Sequence, residues 1–278
     1  MQKRYLVSCD LDESLLKSNK TISLRTKLFI RKFVKNGNIF MINTGRPYQS
    51  ALHFYKMLKI KDMPIVGLNG TQVSYFDSNY ERIKYQTFGF SKELFIDFYE
   101  EIKEYLVGAH IEDIDEHFLL KGGYVPEWLD NTHKNIKVNY IEDFSKHIPD
   151  DPLLSNLYLR KENAHKLDEV LAKEKYQSIK NEVWIINDEI VSYEIHQRGI
   201  DKSTTMQYMA KHFNIDKDNL IAFGDNQNDV DMLKKAGVGV AMCNGLESVR
   251  KSTKHITRKD NNHNGVVDYL KLILKNKV

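Results

Sequence analysis

The first part of the chain alternates short apolar runs with segments whose apolar residues recur at helical spacing. The apolar runs Tyr5–Cys9, Ile39–Ile42 and Pro64–Leu68 lack regular polar alternation, which is typical of strands buried on both faces of a parallel sheet. Leu24–Val34 lies between the first two runs and has helical periodicity. This order of strand, helix and strand predicts parallel strands joined by right-handed crossovers.

The pattern changes after Thr71. Short alternating segments at Thr71–Phe76 and Arg82–Tyr85 predict a hairpin, and Lys92–Val107 has the periodicity of an amphipathic helix opened by Ser91. The same region contains a second predicted helix, Lys166–Lys173, and five predicted strands: Ala109–Ile111, His117–Leu120, Ile136–Ile141, Leu154–Leu159 and Val183–Ile186. This mixture indicates a separate α+β unit.

The alternation of apolar strands and helices then returns. It consists of Ile190–Ile195, a helix at Ser203–Phe213, the strands Leu220–Phe223 and Val238–Ala241, and a helix at Val266–Leu274. We therefore predict an α/β fold whose core is a Rossmann-like, doubly wound parallel sheet formed by residues 1–85 and 189–278. Residues 86–188 are predicted to form an inserted α+β cap domain.

Composition narrows the class of protein. The 278 residues are 41% hydrophobic and 28% charged, which is ordinary for a soluble globular protein with a sizeable core. The net charge of +3 comes from interspersed acids and bases, so we expect no nucleic-acid partner. No apolar run reaches membrane-spanning length and no signal-like segment is visible, which predicts a cytoplasmic protein with no membrane partner, either a monomer or a weak homo-oligomer. Cys9 and Cys243 are too few for a disulfide framework.

Polar residues follow several predicted strands of the parallel sheet. Since ligands bind outside the carboxyl ends of such strands, these residues are expected to share one crevice. They are Asp10 and Asp12, Thr44 and Gly45, Lys202 at a helix start, and Asp225, Asn228 and Asp229.

The chemistry of these groups is complementary. Three carboxylates in one crevice, from Asp10, Asp12 and Asp225, repel each other unless a cation joins them, and hard oxygen ligands favour Mg²⁺. A threonine hydroxyl at Thr44, the backbone N–H groups of the turn and the point charge of Lys202 suit a phosphoryl group. Each cluster alone is also explained by a turn, a helix cap or a surface lysine. Their agreement in order favours a phosphoryl-transfer site.

Taken together, the motifs resemble those of the haloacid dehalogenase superfamily. They are Asp10-x-Asp12, Ile42-Asn43-Thr44-Gly45-Arg46, Gly199-Ile200-Asp201-Lys202-Ser203 and Gly224-Asp225-x-x-Asn228-Asp229. Their order and spacing are similar to the Cof-type branch, in which a large α/β cap lies between the second and third motifs. The resemblance spans nearly the whole chain.

This resemblance implies a Mg²⁺-dependent phosphatase, a phosphoric monoester hydrolase acting on a small metabolite such as a sugar phosphate or a cofactor- or nucleotide-like phosphate. Asp10 would be the nucleophile that forms an aspartyl-phosphate. Asp12 would protonate the leaving alkoxide and then activate water. The metal would be held by the Asp10 carboxylate, the Asp12 backbone carbonyl and the Asp225 carboxylate.

The remaining motif residues are implied to bind the phosphoryl group. Thr44 and the Gly45 N–H would bind its oxygens, and Lys202 would neutralise Asp10 and the transferring group. Asn228 would contact phosphate or the metal shell, and Asp229 would orient Lys202 or a metal-bound water. Two alternatives stay open: a phosphotransferase or mutase that uses the same intermediate, and a phosphometabolite-binding protein with weak turnover.

The chain departs from the family pattern after the second aspartate. Glu13 and Ser14 stand where the family usually has glycine and threonine. Ser14 keeps a hydroxyl, whereas Glu13 places a side chain and an acid where the backbone normally turns without one, which could alter the turn and reduce activity. Two further roles stay open. Arg46 could contact substrate or an acid on the rim, and the loop Lys121–Trp128 could line a substrate pocket or simply pack.

Overall fold

The computed structural model of the chain describes residues 3–127, 129, 136–148 and 151–276. They form two compact units. The first unit combines the chain up to Gln86 with the chain from Asp201, and the second contains Thr87–Ile200. Trp128, at the end of the loop considered above, lies outside the described residues.

The strands of the two units are as follows, in chain order: β1 (Leu6–Cys9), β2 (Ile39–Asn43), β3 (Ile65–Gly67), β4 (Gln72–Phe76), β5 (Arg82–Thr87), β6 (Leu106–Glu112), β7 (Glu116–Leu120), β8 (Lys137–Ile141), β9 (Leu154–Arg160), β10 (Ile179–Ile185), β11 (Ile190–Gln197), β12 (Leu220–Gly224), β13 (Val238–Ala241) and β14 (His255–Ile256).

The α-helices of the described residues are α1 (Leu24–Lys35), α2 (Tyr48–Leu58), α3 (Lys92–Ile102), α4 (Ala164–Leu171), α5 (Lys202–His212), α6 (Val230–Lys235), α7 (Glu247–Lys251) and α8 (Gly265–Asn276). No helix among the described residues combines the length and the apolar character that crossing a membrane requires.

The first unit is built on a sheet in the order β14-β13-β12-β1-β2-β3-β4-β5. The strands from β14 to β3 pair in parallel, and β4 adds to β3 antiparallel. All residues of the central strand β1 are buried, as its apolar sequence predicts. Cys9 pairs with Ile42 on one side and with Phe223 on the other, so the carboxyl ends of β1, β2 and β12 meet at one edge. The predicted fold class is confirmed.

The second unit contains a sheet in the order β10-β11-β9-β6-β7-β8. Its neighbours are antiparallel except β7 and β8. One face packs on α3 and α4 through buried aromatic and aliphatic side chains that include Phe98, Leu157 and Leu167. The unit therefore has a hydrophobic core of its own.

One predicted boundary differs from the structure. Residues 189–200 were expected in the core domain, but β11 pairs with β9 and β10 in the second sheet, and the second unit ends at Ile200. The physical reason is its alternation: Val191, Tyr193 and Ile195 face the hydrophobic core of this unit, as in a strand with two different faces. Its apolar residues alone resemble those of a buried parallel strand, which is why the predicted boundary falls before it.

The predicted helix Lys92–Val107 is also too long. The helix α3 ends at Ile102, a short turn follows at Lys103–Tyr105, and Leu106 begins strand β6. Leu106–Glu112 pairs with β9 on one side and β7 on the other, so tertiary pairing overrides the helical periodicity of its first residues.

Candidate active site

The loop after β1 begins the site. The backbone N–H of Asp10 still donates to Phe223 O at 3.0 Å, as a last rung between β1 and β12. The chain then folds into a tight turn over Leu11–Leu15, in which the N–H of Leu15 donates to Asp10 O at 3.2 Å. The Asp10 side chain is buried at this edge of the sheet, with 7% of the residue exposed.

Lys202 reaches Asp10 from the start of α5. Its ammonium donates to Asp10 Oδ1 at 2.7 Å and to Asp229 Oδ1 at 2.8 Å, and the residue is 1% exposed. The helix begins here because Asp201 and Thr204 form a capping box. Burial alone would lower the pKa of Lys202, but the Asp10 and Asp229 carboxylates outweigh it and raise this pKa, so the ammonium stays charged.

Asp229 contacts both Lys202 and the backbone of the turn after β12. Its second oxygen, Oδ2, accepts from the backbone N–H groups of Asp225 at 2.9 Å and Asn226 at 3.1 Å. A Cβ on Gly224 would lie 2.4 Å from Asp229 Cβ, so only glycine lets the turn close this tightly. Of the two partners expected for Asp229, Lys202 and a metal-bound water, the ion pair with Lys202 is present at 2.8 Å.

Three carboxylates converge at this point. Oxygens of Asp10, Asp225 and Asp229 all lie within 4.8 Å of one another. Burial raises the pKa of Asp10 well above its usual range, and Asp229 and Asp225 add to this effect while Lys202 opposes it. Burial also raises the pKa of Asp225 to about 6, with repulsion from Asp229 adding and the hydroxyl of Ser14, which donates to Asp225 at 2.7 Å, opposing. This excess of negative charge on hard oxygens fits a divalent cation such as Mg²⁺.

The carboxylate of Asp12 is held differently. Arg46 Nε and Nη2 donate to its two oxygens at 2.6 Å each, and Lys20 Nζ donates to Oδ1 at 2.9 Å. Burial would raise the pKa of Asp12, but the hydrogen bonds and charges of Arg46 and Lys20 prevail and lower it. Of the two roles left open for Arg46, the structure places it against an acid. Its guanidinium is steadied by Ser50 Oγ at 3.2 Å and by the Phe54 ring.

Thr44, Gly45 and Asn228 lie around the same sheet edge. Thr44 follows β2, next to β1, and its hydroxyl accepts from the Arg46 N–H at 3.2 Å. A Cβ on Gly45 would lie 3.1 Å from Asn69 Oδ1, and the amide of Asn228 donates to that same oxygen at 2.9 Å. Asn69 adopts a left-handed conformation, with φ of 52°. Its backbone N–H donates to Thr44 O at 3.1 Å, so Asn69 links the second and fourth motifs through hydrogen bonds.

Glu13 adopts a left-handed backbone, with φ of 53°, in which a side chain is strained. Its carboxylate accepts from Ser18 Oγ and Asn261 Nδ2 at 3.1 Å each, and its carbonyl accepts from Asn244 Nδ2 at 2.8 Å. Lys20 Nζ lies 3.6 Å from the same carboxylate. Glu13 therefore occupies a backbone conformation that glycine adopts more readily, and its carboxylate is held by Ser18 and Lys20 nearby and by the distant Asn261.

Sequence reasoning missed several supporting residues. Asn43 is fully buried, and its amide donates to Lys202 O at 2.9 Å and to Ser8 Oγ at 3.1 Å, which ties β1, β2 and the start of α5 together. The signal for Asn43 was an amide at the end of an apolar run. Lys20, Asn244 and Asn261 carried no such signal, because they lie in polar loops.

Comparisons with known proteins agree with these motifs. A family model described as haloacid dehalogenase-like hydrolase matches residues 7–270. The 5-amino-6-(5-phospho-D-ribitylamino)uracil phosphatase YitU of Bacillus subtilis is 29% identical over 273 residues, which cover 97% of each chain. A second B. subtilis phosphatase with this substrate name, YcsE, is 23% identical over 261 residues, covering 91% of this chain and 89% of its own.

Solved structures share the fold. A haloacid dehalogenase-like hydrolase from Bacteroides thetaiotaomicron superposes with a TM-score of 0.78 at 22% identity, covering 98% of this chain and 100% of that one. A protein from Thermotoga maritima superposes with a TM-score of 0.79 at 24% identity, covering 96% and 97%. The similarity in fold therefore includes both units of the chain.

Proposed function

Because the chain belongs to the haloacid dehalogenase-like hydrolases and is a phosphoric monoester hydrolase, we propose that it hydrolyses a small phosphorylated metabolite with Mg²⁺, through an aspartyl-phosphate on Asp10. The observation that carries the proposal is the buried Lys202 ammonium, which bridges Asp10 and Asp229 beside Asp225. A buried cation that holds one oxygen of a carboxylate fixes the other for attack on phosphorus.

The reaction runs in two halves. In the first, an Asp10 oxygen forms a bond to phosphorus while the bond to the ester oxygen breaks, and Asp12 gives its proton to the leaving alkoxide. In the second, Asp12 takes a proton from water, the water oxygen attacks phosphorus, and the Asp10 carboxylate leaves as inorganic phosphate is released. The lowered pKa of Asp12 keeps this carboxylate ionised, which is the form it must have at the start of the second half. In the first half Asp12 must carry a proton, which requires it to loosen its contacts with Arg46 and Lys20.

The metal would be held by the carboxylates of Asp10 and Asp225 and the backbone carbonyl of Asp12. When bound, Mg²⁺ supplies positive charge that offsets the repulsion between the Asp10 carboxylate and the phosphate oxygens. The Ser14 hydroxyl donates to Asp225 Oδ1 at 2.7 Å and is proposed to orient this carboxylate toward the metal. Asp229 is engaged by Lys202 and two backbone N–H groups and is proposed to position the lysine.

The phosphoryl oxygens would be bound by the Thr44 hydroxyl, the Gly45 N–H and Lys202. Asn228 is proposed to act beside them. Its side-chain Oδ1 is buried and has no hydrogen-bond partner within the described part of the chain, so this oxygen can accept a hydrogen bond from a donor such as a metal-bound water. The hydrogen bond to Asn69 fixes its orientation.

The second unit is proposed to select the leaving group. Its sheet carries buried polar side chains on the face opposite its hydrophobic core. His110 contacts Tyr158 Oη at 3.0 Å and Glu112 Oε1 at 3.1 Å, and the amide of Asn156 lies 3.4 Å from His110. Burial lowers the pKa of His110 to about 3, so this imidazole is neutral at physiological pH. These donors and acceptors suit a hydrogen-bonding leaving group, and 5-amino-6-(5-phospho-D-ribitylamino)uracil, the substrate in the names of two relatives, is the first metabolite to test.

The test is hydrolysis of p-nitrophenyl phosphate with and without added Mg²⁺. We expect metal-dependent release of phosphate that falls by about 10³-fold or more in Asp10→Asn and is unchanged in the exposed control Asp231→Asn. Equal activity in wild type and Asp10→Asn would contradict the proposal. Transfer of phosphate to an added sugar faster than to water would favour a phosphotransferase. Thermal stabilisation by phosphometabolites without phosphate release would favour a binding protein.

A further inference from the structure

A cavity of about 440 Å³ lies in the first unit, beside the loop that follows β1. It is lined by Arg25, Cys243, Arg258, Lys259, Asp260, Asn262, His263 and Asn264. Its volume falls in the lower part of the range of small-molecule pockets, about 300–1,000 Å³. None of these residues belongs to the site described above.

The charge around the cavity is positive. Asp268 pairs with Arg25 and also with Lys259, the latter at 2.9 Å, and Asp260 lies 2.6 Å from the His263 imidazole. Three cations, Arg25, Arg258 and Lys259, thus face two carboxylates, Asp260 and Asp268, which leaves one net positive charge before His263 is counted. The Arg258 guanidinium has no ion-pair partner within the described residues, so it is available to an anion.

The walls of the cavity also hold the catalytic loop. Asn244 follows the lining residue Cys243, and its amide donates to Glu13 O at 2.8 Å. Asn261 stands between two lining residues, and its amide donates to Glu13 Oε2 at 3.1 Å and to Leu16 O at 2.9 Å. The N–H of Asn261 in turn donates to Asn244 Oδ1 at 3.3 Å. The segments around Cys243 and Asn262 therefore both hydrogen-bond to Glu13, the residue with a left-handed backbone next to Asp12.

We propose that this cavity binds a small polyanion, with Arg258 as its principal contact, and that the bound anion stabilises the conformation of the loop around Glu13. The ligand class is a molecule with two or more adjacent anionic groups, either phosphoryl groups or carboxylates. An anion that draws the segments around Cys243 and Asn262 together also tightens the two asparagine amides on Glu13. Binding is expected to weaken as salt rises, since the cavity is exposed.

The experiment titrates the metal-free protein with pyrophosphate and, separately, with citrate in a calorimeter at low ionic strength. Without metal, the carboxylates of Asp10, Asp225 and Asp229 repel both probes, so the catalytic site contributes little heat. We expect at least one probe to bind, with affinity about tenfold lower in Arg258→Glu. Lys254→Glu, an exposed position with the same change in net charge, is the matched control and should bind as wild type does.

The two probes distinguish the sources of the anion: binding of pyrophosphate alone indicates phosphoryl ligands, and binding of citrate alone indicates carboxylates. No binding of either probe, or equal weakening in Arg258→Glu and Lys254→Glu, would overturn the site. Hydrogen exchange of the Leu15 and Leu16 amides, measured with and without the probe, reports how stable the loop around Glu13 is. Slower exchange in wild type but not in Arg258→Glu is expected, and binding that leaves these amides unchanged would overturn the link to Glu13. These readouts need no turnover, so they stand apart from the proposed phosphatase reaction.

Discussion

Replacing Asp225 with asparagine should stabilise the metal-free protein, although it removes a side chain proposed to bind the metal. Asparagine has the same shape and can still accept the hydrogen bond from Ser14, so packing is preserved. The substitution removes a negative charge that burial and Asp229 make unfavourable, as the raised pKa of Asp225, to about 6, records. Loss of this charge therefore relieves repulsion in the cluster.

The magnitude follows from linkage. A pKa of about 6 against the ordinary 3.8, at about 1.36 kcal/mol per unit, gives about 3 kcal/mol as an upper bound for the cost of ionising Asp225 at neutral pH. Because Asp225 is only partly buried, screening should reduce this to about 1–2 kcal/mol. The folded state binds the proton more tightly than the unfolded state. This cost is therefore absent below the unfolded pKa and grows as pH rises to the folded pKa near 6.

The assay is urea unfolding with a chelator and with saturating Mg²⁺, across pH. With chelator, Asp225→Asn should exceed wild type in unfolding free energy at neutral pH, and the difference should vanish as pH falls toward 4. With Mg²⁺ the order should reverse, because wild type gains about 2.7 kcal/mol at a metal concentration of about 100 Kd and the variant does not. Asp231→Asn, at an exposed position, is the control. A variant that is less stable than wild type without metal and equally stabilised by Mg²⁺ would refute this reasoning.

Three further substitutions test the site. Glu13→Gly should exceed Glu13→Ala in unfolding free energy by about 1 kcal/mol. Both variants lose the carboxylate contacts, but only glycine adopts the left-handed backbone conformation without strain. Equal unfolding free energies in urea would contradict the strain at this position. Lys202→Met should lower the free energy of unfolding by about 3–5 kcal/mol at neutral pH and abolish turnover, because Asp10 and Asp229 lose their buried counter-ion. Unfolding free energy equal to that of wild type would show that Lys202 and the two carboxylates are not all charged. Gly224→Ala should lower both stability and phosphatase activity, because the added Cβ would displace Asp229, and normal kinetics in a folded variant would contradict the close packing.

The central sheet was predictable because strands buried on both faces are continuous apolar runs in the sequence. Strands β1, β2 and β12 are apolar runs that end in polar residues, and their parallel register brings Asp10 and Thr44 to one edge. The second unit was harder. Strand β11 alternates Val191, Tyr193 and Ile195 with Ser192, Glu194 and His196, which indicates two different faces, and its pairing with β9 and β10 assigns it to the other sheet.

Part of the site was not predictable, for a different reason. The motifs name Asp10, Lys202 and Asp225, but the partners of Asp12 and Glu13 are set by contacts between distant loops. Asn261 lies 248 residues from Glu13 along the chain and looks like an ordinary loop residue. Arg46 could be named in advance, but its choice between substrate and Asp12 depends on side-chain geometry that periodicity does not encode.

The most direct test of the proposed chemistry is to trap the phosphorylated enzyme. An aryl phosphate carries a good leaving group, so Asp12→Asn should still transfer its phosphoryl group to Asp10 but should lack the base that activates water for release. We expect mass spectrometry of quenched Asp12→Asn to find one phosphoryl group on the peptide that contains Asp10, and none in the double variant that also carries Asp10→Asn. A phosphoryl group on another residue, or phosphate release that continues at the wild-type rate without Asp10, would contradict the account.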